Sequence, residues 1–463
     1  MAIVVNIQYS QNRDNRRLGT FSLSFIDEQN ITHSVDMKFG FEDLWTFAHD
    51  MESTAFDFLI LSLVVYNVDR AINRLKFSLD GWHRSLIINC IPVKNVAKMQ
   101  HAVTFFESAV NFLTGDTWFF NFIQAPEYDY RPTIQKTFER GEFDKVCLFS
   151  GGLDSLIGFI DEASSLLENR KILLVSHKEL GKEGGDQKRI LDICREKGFY
   201  NNQYERVLVN AGLKPKTWVN KSGAEGTFRS RSLLFFAAGI YVAHSISDKT
   251  SLIVPENGTI SINIPLDKGR RGACSTRTTH PTFIKRIQNA LTKIGINNTI
   301  INPYQLKSKA DMMIECYMND DKKRILSTIY SESCSCAKRS HNRWWDRRGG
   351  NIRHCGHCLP CIYRRVALDI VGADNIMDIG TDMFDSRHFK ISDTKQESSN
   401  DIRSLIYFLE FRCNRKNIEH ELRLNGITNE DELLQYTELA LHSYEQVKTW
   451  LIKENHDRYP LPF

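Results

Sequence analysis

Two short clusters carry side-chain types and spacings suited to chemistry. The first is Ser150-Gly151-Gly152-Leu153-Asp154-Ser155. Its two glycines let backbone approach a ligand closely, and positive φ costs them little. If a helix begins there, its first free N–H groups favour an anion, above all phosphate. Ser150 and Ser155 add hydroxyls, and Asp154 is a carboxylate able to hold magnesium against phosphate oxygens. A plain helix cap is the alternative use of the same residue types. No G-x-x-x-x-G-K-[ST] or G-x-G-x-x-G string occurs, which excludes a Walker loop and a dinucleotide fingerprint.

The second cluster is Cys355-x2-Cys358-x2-Cys361, with Cys334 and Cys336 upstream. Thiolates at this spacing converge on one tetrahedral zinc ion. Cys334 is the expected fourth ligand, and His354 and His357 are then not needed. Four thiolates leave no open position, so the zinc is expected to be structural, adding on the order of 10 kcal/mol to folding. A redox pair is the weaker reading, because it would use fewer thiols.

Elements of alternating type must position these clusters. The apolar run Val146–Phe149 reads as a strand, and Leu156, Phe159, Ile160 and Ala163 follow at helical spacing. Beyond them come the strand 171–177, a helix in "GDQKRILDICREKG", the strand "ERVLVNA", the helix "SRSLLFFAAGIYVAHSI" and the strand "TSLIVPENG". Strand and helix in alternation predict an α/β fold with a doubly wound parallel sheet, whose ligands bind beyond the strands' carboxyl ends. Ser176, His177 and the "PENG" of 255–258 fall at such ends. Arg229 and Arg231 precede a nearly all-apolar helix, where guanidinium forks suit phosphate.

Around this core, residues 1–140 read as an α+β module and 376–463 as a mainly helical region, with the α/β domain at 141–375 and its zinc site at 331–365. In the N-terminal module, Arg70, Trp82 and Arg84 read as a solvated face and an ordinary aromatic contact. The basic, Trp-containing stretch "KRSHNRWWDRRGGNIRH" reads as a loop around the metal, with single-stranded nucleic acid as the alternative partner.

Composition sets bounds. The 463 residues are 42% hydrophobic, enough for two or three domains. Sixty basic against 56 acidic residues leave a net charge of +4, too small to argue nucleic-acid binding. The apolar run "FLILSLVVY" is far shorter than the roughly 20 residues of a membrane span. The order of charged and apolar residues after Met1 is opposite to a signal peptide's. A cytoplasmic protein without a membrane partner is expected, its 11 cysteines being free thiols or metal ligands.

Together, SGGxDS and the late C-x2-C-x2-C resemble the QueC family of 7-cyano-7-deazaguanine synthases, which are PP-loop ATP pyrophosphatases of adenine nucleotide alpha-hydrolase-like fold. "RSRSLLF" is similar to that family's R-N-x-L-F stretch, with Ser232 in place of the usual asparagine. The long N-terminal module, "PENGTISINIPL" and "CSTRTTHP" resemble the enlarged QueC-like proteins of bacterial anti-phage operons, chiefly those of the Qat system. The resemblance implies ATP, Mg2+ and Zn2+ as cofactors and adenylation of a deazaguanine carboxylate, with acyl transfer to ammonia or to an amine of a partner protein from the same operon. It places Ser150, Gly151, Gly152, Leu153, Asp154 and Ser155 on pyrophosphate and magnesium, supplemented by Arg229 and Arg231. Ser176 and His177 are expected at adenine or ribose. Glu256, Asn257, Arg277, Thr278, Thr279 and His280 are expected at the deazapurine or the acyl acceptor. A sulfur-transfer enzyme, needing a reactive thiol such as Cys194 or Cys274, and a non-catalytic nucleotide-binding scaffold are the competing readings.

Overall fold

The computed structural model describes residues 2–132, 139–178, 181–267, 277–338, 352–384, 389, 391, 399–455 and 461. Ten strands run in chain order: β1 (Ile3–Ser10), β2 (Thr20–Ile26), β3 (Thr32–Gly40), β4 (Ser85–Val93), β5 (Thr117–Gln124), β6 (Phe143–Leu148), β7 (Lys171–Lys178), β8 (Tyr204–Leu213), β9 (Leu252–Ile253) and β10 (Ile300–Ile301). Among the helices, α1 (Thr54–Ala71), α2 (Val103–Thr114), α3 (Leu153–Ser164), α4 (Gly181–Glu196), α5 (Arg231–Ile246), α6 (Pro281–Lys293), α7 (Lys309–Tyr317), α8 (Leu359–Ile370) and α9 (Glu430–Asn455) bear on function.

The strands form one sheet in the order β10-β9-β6-β7-β8-β3-β2-β1-β4-β5. Its half from β10 to β8 is wholly parallel. Alternate residues there go to opposite faces: Val146, Leu148, Leu173 and Val175 meet α5, whereas Cys147, Phe149, Ile172 and Leu174 meet the layer containing α3 and α4. Burial on both faces explains why these strands read as continuous apolar runs. The expected α/β fold with a large, mostly parallel sheet is present.

The sequence-based separation of an N-terminal module does not appear as a break in the sheet. β3 pairs antiparallel with β8, from Met37 opposite Leu213 to Gly40 opposite Asn210. The first five strands bury one face only, as in Val5 and Ile7, Phe21, Leu23 and Phe25, or Trp118 and Phe120. Against that face lies α1, buried along almost its whole length because α5 covers its other side. Enclosure by protein on both sides accounts for its membrane-like apolar run; no described helix is long and apolar enough to cross a membrane.

Four charged side chains tie the halves together. Asp69 accepts hydrogen bonds from Arg84 at 2.6 Å and Arg74 at 2.9 Å, and both arginines reach Asp116 at 2.5 Å. Burial works against the charged forms, but the mutual attraction prevails: the Asp69 carboxyl is held far below its usual range and the Arg84 guanidinium above its own. Asp69 also accepts from the Ser230 N–H at 3.2 Å and O–H at 2.6 Å, gripping the start of α5. Arg84, expected on a solvated face, is only 1% exposed; its carboxylate partners come from 15 and 32 residues away, which spacing alone does not reveal. Trp82 is half exposed.

Candidate functional site

Strand β6 ends at Leu148, the chain turns through Ser150 to Gly152, and α3 starts at Leu153. Gly151 has φ of +82°, which glycine adopts without strain, and a Cβ there would meet the Gln187 side chain at 3.0 Å. The turn is held by its own hydroxyls: Ser150 Oγ accepts from the Gly152 N–H at 3.2 Å and shares a 3.1 Å hydrogen bond with Ser155 Oγ. The amides of Gly151, Asp154 and Ser155 have no hydrogen-bond partner among the described residues. Leu153 N–H is not open in this sense, since it donates to Ser335 Oγ at 3.3 Å.

The loop opens onto a cleft of about 410 Å³, within the usual range for small-molecule sites. The cleft lies at the carboxyl ends of β6 and β9, where the sheet order reverses: the chain proceeds from β6 to β7 and β8, then returns to the other side of β6 as β9. Such switch points are where open α/β sheets bind ligands. Of the residues singled out from sequence, Ser150 through Ser155, Arg231, Glu256, Thr278 and Thr279 line it.

Lys309, not foreseen from sequence, completes a charged trio with Asp154 and Glu256. Its ammonium binds Asp154 Oδ1, and Asn257 Nδ2 donates to Asp154 Oδ2 at 2.8 Å. Burial would raise the Asp154 carboxyl, but Lys309 above all brings it down to about 2. Burial and the Asp154 charge push Glu256 well above its ordinary value, so Glu256 stays protonated and donates to Asp154. Lys309 is the first residue of α7, held in place by a capping box between Ser308 and Asp311. "SKAD" is the sequence signal for this helix start, but nothing local to it points at Asp154.

The expected Asp154–magnesium contact is not supported by this donor set. Both carboxylate oxygens are engaged, one by an ammonium, and a directly bound divalent ion would have to displace Lys309. Positive charge beside the glycine turn comes from Lys309 and Arg231.

Other expected site residues are brought near the cleft but turned to structural work. Ser176 donates to the Phe149 carbonyl at 2.8 Å. His177 accepts from Arg231 Nε at 3.1 Å and bonds the Ala211 carbonyl at 3.2 Å. Burial, reinforced by Arg231, lowers the His177 pKa well below the usual value, so it is a neutral acceptor that aims Arg231. Neither Ser176 nor His177 lines the cleft. Arg229 and Arg277 donate to the carbonyls of Thr114 and Phe112 at the end of α2, at 3.1 and 2.9 Å, the use expected of cations at a helix C-terminus. His280 caps α6 through the Thr282 N–H at 3.2 Å, its pKa lowered by burial to about 3.

Phe228, Phe235 and Phe236 form an apolar wall of the cleft, suited to a planar ring. At the rim stand Cys334, Ser335 and Cys336. The converging thiols are Cys336, Cys355, Cys358 and Cys361, all buried, with sulfurs within 4.8 Å of one another. This corrects the expectation for Cys334, whose thiol donates instead to the Arg353 carbonyl at 3.5 Å. The reason lies in the turn at Ala337–Lys338: Cys336 Sγ accepts N–H groups from Lys338 and Cys355, both at 3.3 Å, which points it inward. Four converging thiols, with backbone N–H donors on the sulfurs of Cys336 and Cys355, fit a metal such as zinc.

Cys194 is buried and its thiol is pushed up to about 12 by burial, the reverse of an activated nucleophile. Cys274 lies outside the described residues, as do residues 339–351 of the basic stretch 338–354. Comparison of the chain with protein-family models, curated proteins and solved structures finds no match to any of them.

Proposed function

We propose that this chain is a QueC-like, PP-loop ATP-dependent ligase that adenylates the carboxylate of a 7-deazaguanine acid and passes the acyl group to an amine. The observation that carries the proposal is the cleft at the sheet's switch point. A strand–SGGxDS–helix turn, two cationic side chains and an aromatic wall all face the same cavity.

In the first step a carboxylate oxygen of the acid attacks the α-phosphorus of ATP, the bond to the bridging α–β oxygen breaks, and pyrophosphate leaves. A carboxylate is ionised at neutral pH and needs no base to attack. The protein's task is to hold the two reactants in line and to stabilise the departing charge. The amides of Gly151, Asp154 and Ser155, with Lys309, are the groups available to the pyrophosphate; Arg231, aimed by neutral His177, lines the same cleft. Magnesium carried by the nucleotide would supply countercharge to its phosphates, and Asp154 positions Lys309. In the second step an amine nitrogen attacks the acyl carbon and AMP leaves with the oxygen it received, the amine losing a proton to solvent. Thr278, Thr279 and protonated Glu256 are the polar groups available to the acid. The amine is ammonia or belongs to a partner protein of an anti-phage operon. Zinc in the four-thiol site would add no open coordination position and would brace the rim.

The test is incubation with ATP, magnesium, 7-carboxy-7-deazaguanine and an ammonium salt as the amine source. AMP and pyrophosphate released in equal amounts, and lost in Asp154→Ala, support the reading; no acid-dependent release rejects it. Mass spectrometry of co-expressed operon proteins then distinguishes the amine: a deazapurine adduct dependent on Asp154 identifies a protein acceptor.

A further inference from the structure

The metal loop and the phosphate loop are joined directly. Cys334 N–H donates to the Gly151 carbonyl at 2.8 Å, and Ser335 Oγ accepts from Leu153 N–H at 3.3 Å. A Cβ on Gly152 would stand 3.5 Å from the Cys334 carbonyl and 3.8 Å from Ser335 Oγ, so the two loops pack in van der Waals contact. On one side Ser335 is tied to the thiol cluster through Cys336. On the other, Ser333 is fixed by Arg364 at 2.8 Å and by its own bond to the Tyr330 carbonyl at 2.6 Å. A hydroxyl has one proton to donate and two lone pairs. Leu153 N–H uses one lone pair of Ser335, and the Ser335 O–H has no acceptor among the described residues although Ser335 lines the cleft.

We propose that Ser335 is a phosphate ligand delivered to the cleft by the metal loop, its O–H donating to a phosphoryl oxygen while Leu153 N–H holds it, so that occupancy of the four-thiol site governs anion affinity. This rests on the phosphate-binding reading of the cleft. It makes the metal centre a brace of the ligand site as well as of the fold.

Inorganic pyrophosphate is the probe, measured by calorimetry on the full, zinc-loaded chain. Ser335→Ala is expected to weaken binding about tenfold, the loss typical of a hydrogen bond to a charged group, with Ser335→Thr retaining most of it. Equal or tighter binding by Ser335→Ala overturns the proposal, because the hydroxyl would then be idle or a plug. Removing zinc with a chelator is expected to weaken the wild type by a similar factor and Ser335→Ala little further. Hydrogen exchange should quicken in the peptide spanning 150–156 and stay unchanged in β1, β2 and β4. Exchange that quickens everywhere would overturn the coupling, since the metal would then hold the fold and not the loop. Pyrophosphate binding that is intact in both proteins removes Ser335 while sparing the cleft. No binding by the wild type removes both.

Discussion

The cluster of Asp69, Asp116, Arg74 and Arg84 and the cluster of Asp154, Glu256 and Lys309 are built from the same chemistry but differ in what surrounds them. In the first, two carboxylates face two guanidiniums, the geometry is nearly closed, and Ser230 takes a remaining lone pair of Asp69. In the second, two carboxyls share one ammonium, one carboxyl is kept protonated, and the group lines a cavity beside unpartnered amides. Burial of charge is therefore not by itself a mark of function. The distinguishing features are access to a cavity and a carboxyl that keeps its proton, which leave the second cluster able to respond to a ligand where the first can only hold two halves of a sheet together.

Experiments can break or sharpen this contrast. The largest effect is expected just beyond the cleft cluster, at the thiols. Zinc removal should lower the unfolding free energy by about 5 kcal/mol, since part of the metal's binding energy is spent ordering its own loop, and leave the sheet folded; Cys336→Ser should purify without stoichiometric zinc while Cys334→Ser retains it, as metal analysis and thermal melts will record. Retention by Cys336→Ser would undo the ligand assignment. At the joint, Arg84→Met leaves Asp69 and Asp116 with less compensation and should cost about 3–5 kcal/mol in urea unfolding. At the cleft, Asp154→Asn should lower ATP-dependent pyrophosphate release by about 100-fold or more while costing less stability than Arg84→Met. Unfolding of both variants to the same degree would make the two clusters equivalent and defeat the comparison.

The smallest effect is a pH dependence confined to the cleft. Glu256 keeps its proton in the folded chain, whereas the unfolded chain releases it near 4.5. Above that pH the unfolded state binds fewer protons, so stability falls as pH rises, by up to about 1.4 kcal/mol per pH unit, until Glu256 ionises in the folded protein. Glu256→Gln should abolish this slope and be more stable than wild type at neutral pH, the difference vanishing below pH 4.5. Asp154 acts in the opposite sense in a separate window: its contribution is present above 3.8 and is lost as pH falls toward 2. Urea titrations at several pH values separate the two.

Much of the cleft was legible because its parts are local. A glycine pair after an apolar strand and before helical spacing specifies a turn whatever surrounds it, and thiols at x2 spacing can converge through one turn. Arg231 and Glu256 were singled out by their place at a helix start and a strand end, whereas Thr278 and Thr279 came only from the family resemblance. Lys309 and Ser335 were missed: each contributes through a partner more than 150 residues away, Asp154 and Leu153 respectively. Arg229, Arg277 and His280 have the right chemistry for a site but are drawn to orphan groups at helix ends, which are met only when α2, α5 and α6 are packed.

By itself, the order of residues determined the strand-loop-helix unit, the alternation that builds parallel strands, and three of the four thiols, since each depends on sterics and periodicity over a few residues. Which early cysteine turns inward, which carboxyl keeps a proton, and that the N-terminal strands extend the same sheet were decided only in the folded chain. Those outcomes depend on desolvation and on pairings between distant segments, and such energies exist only once the segments have met.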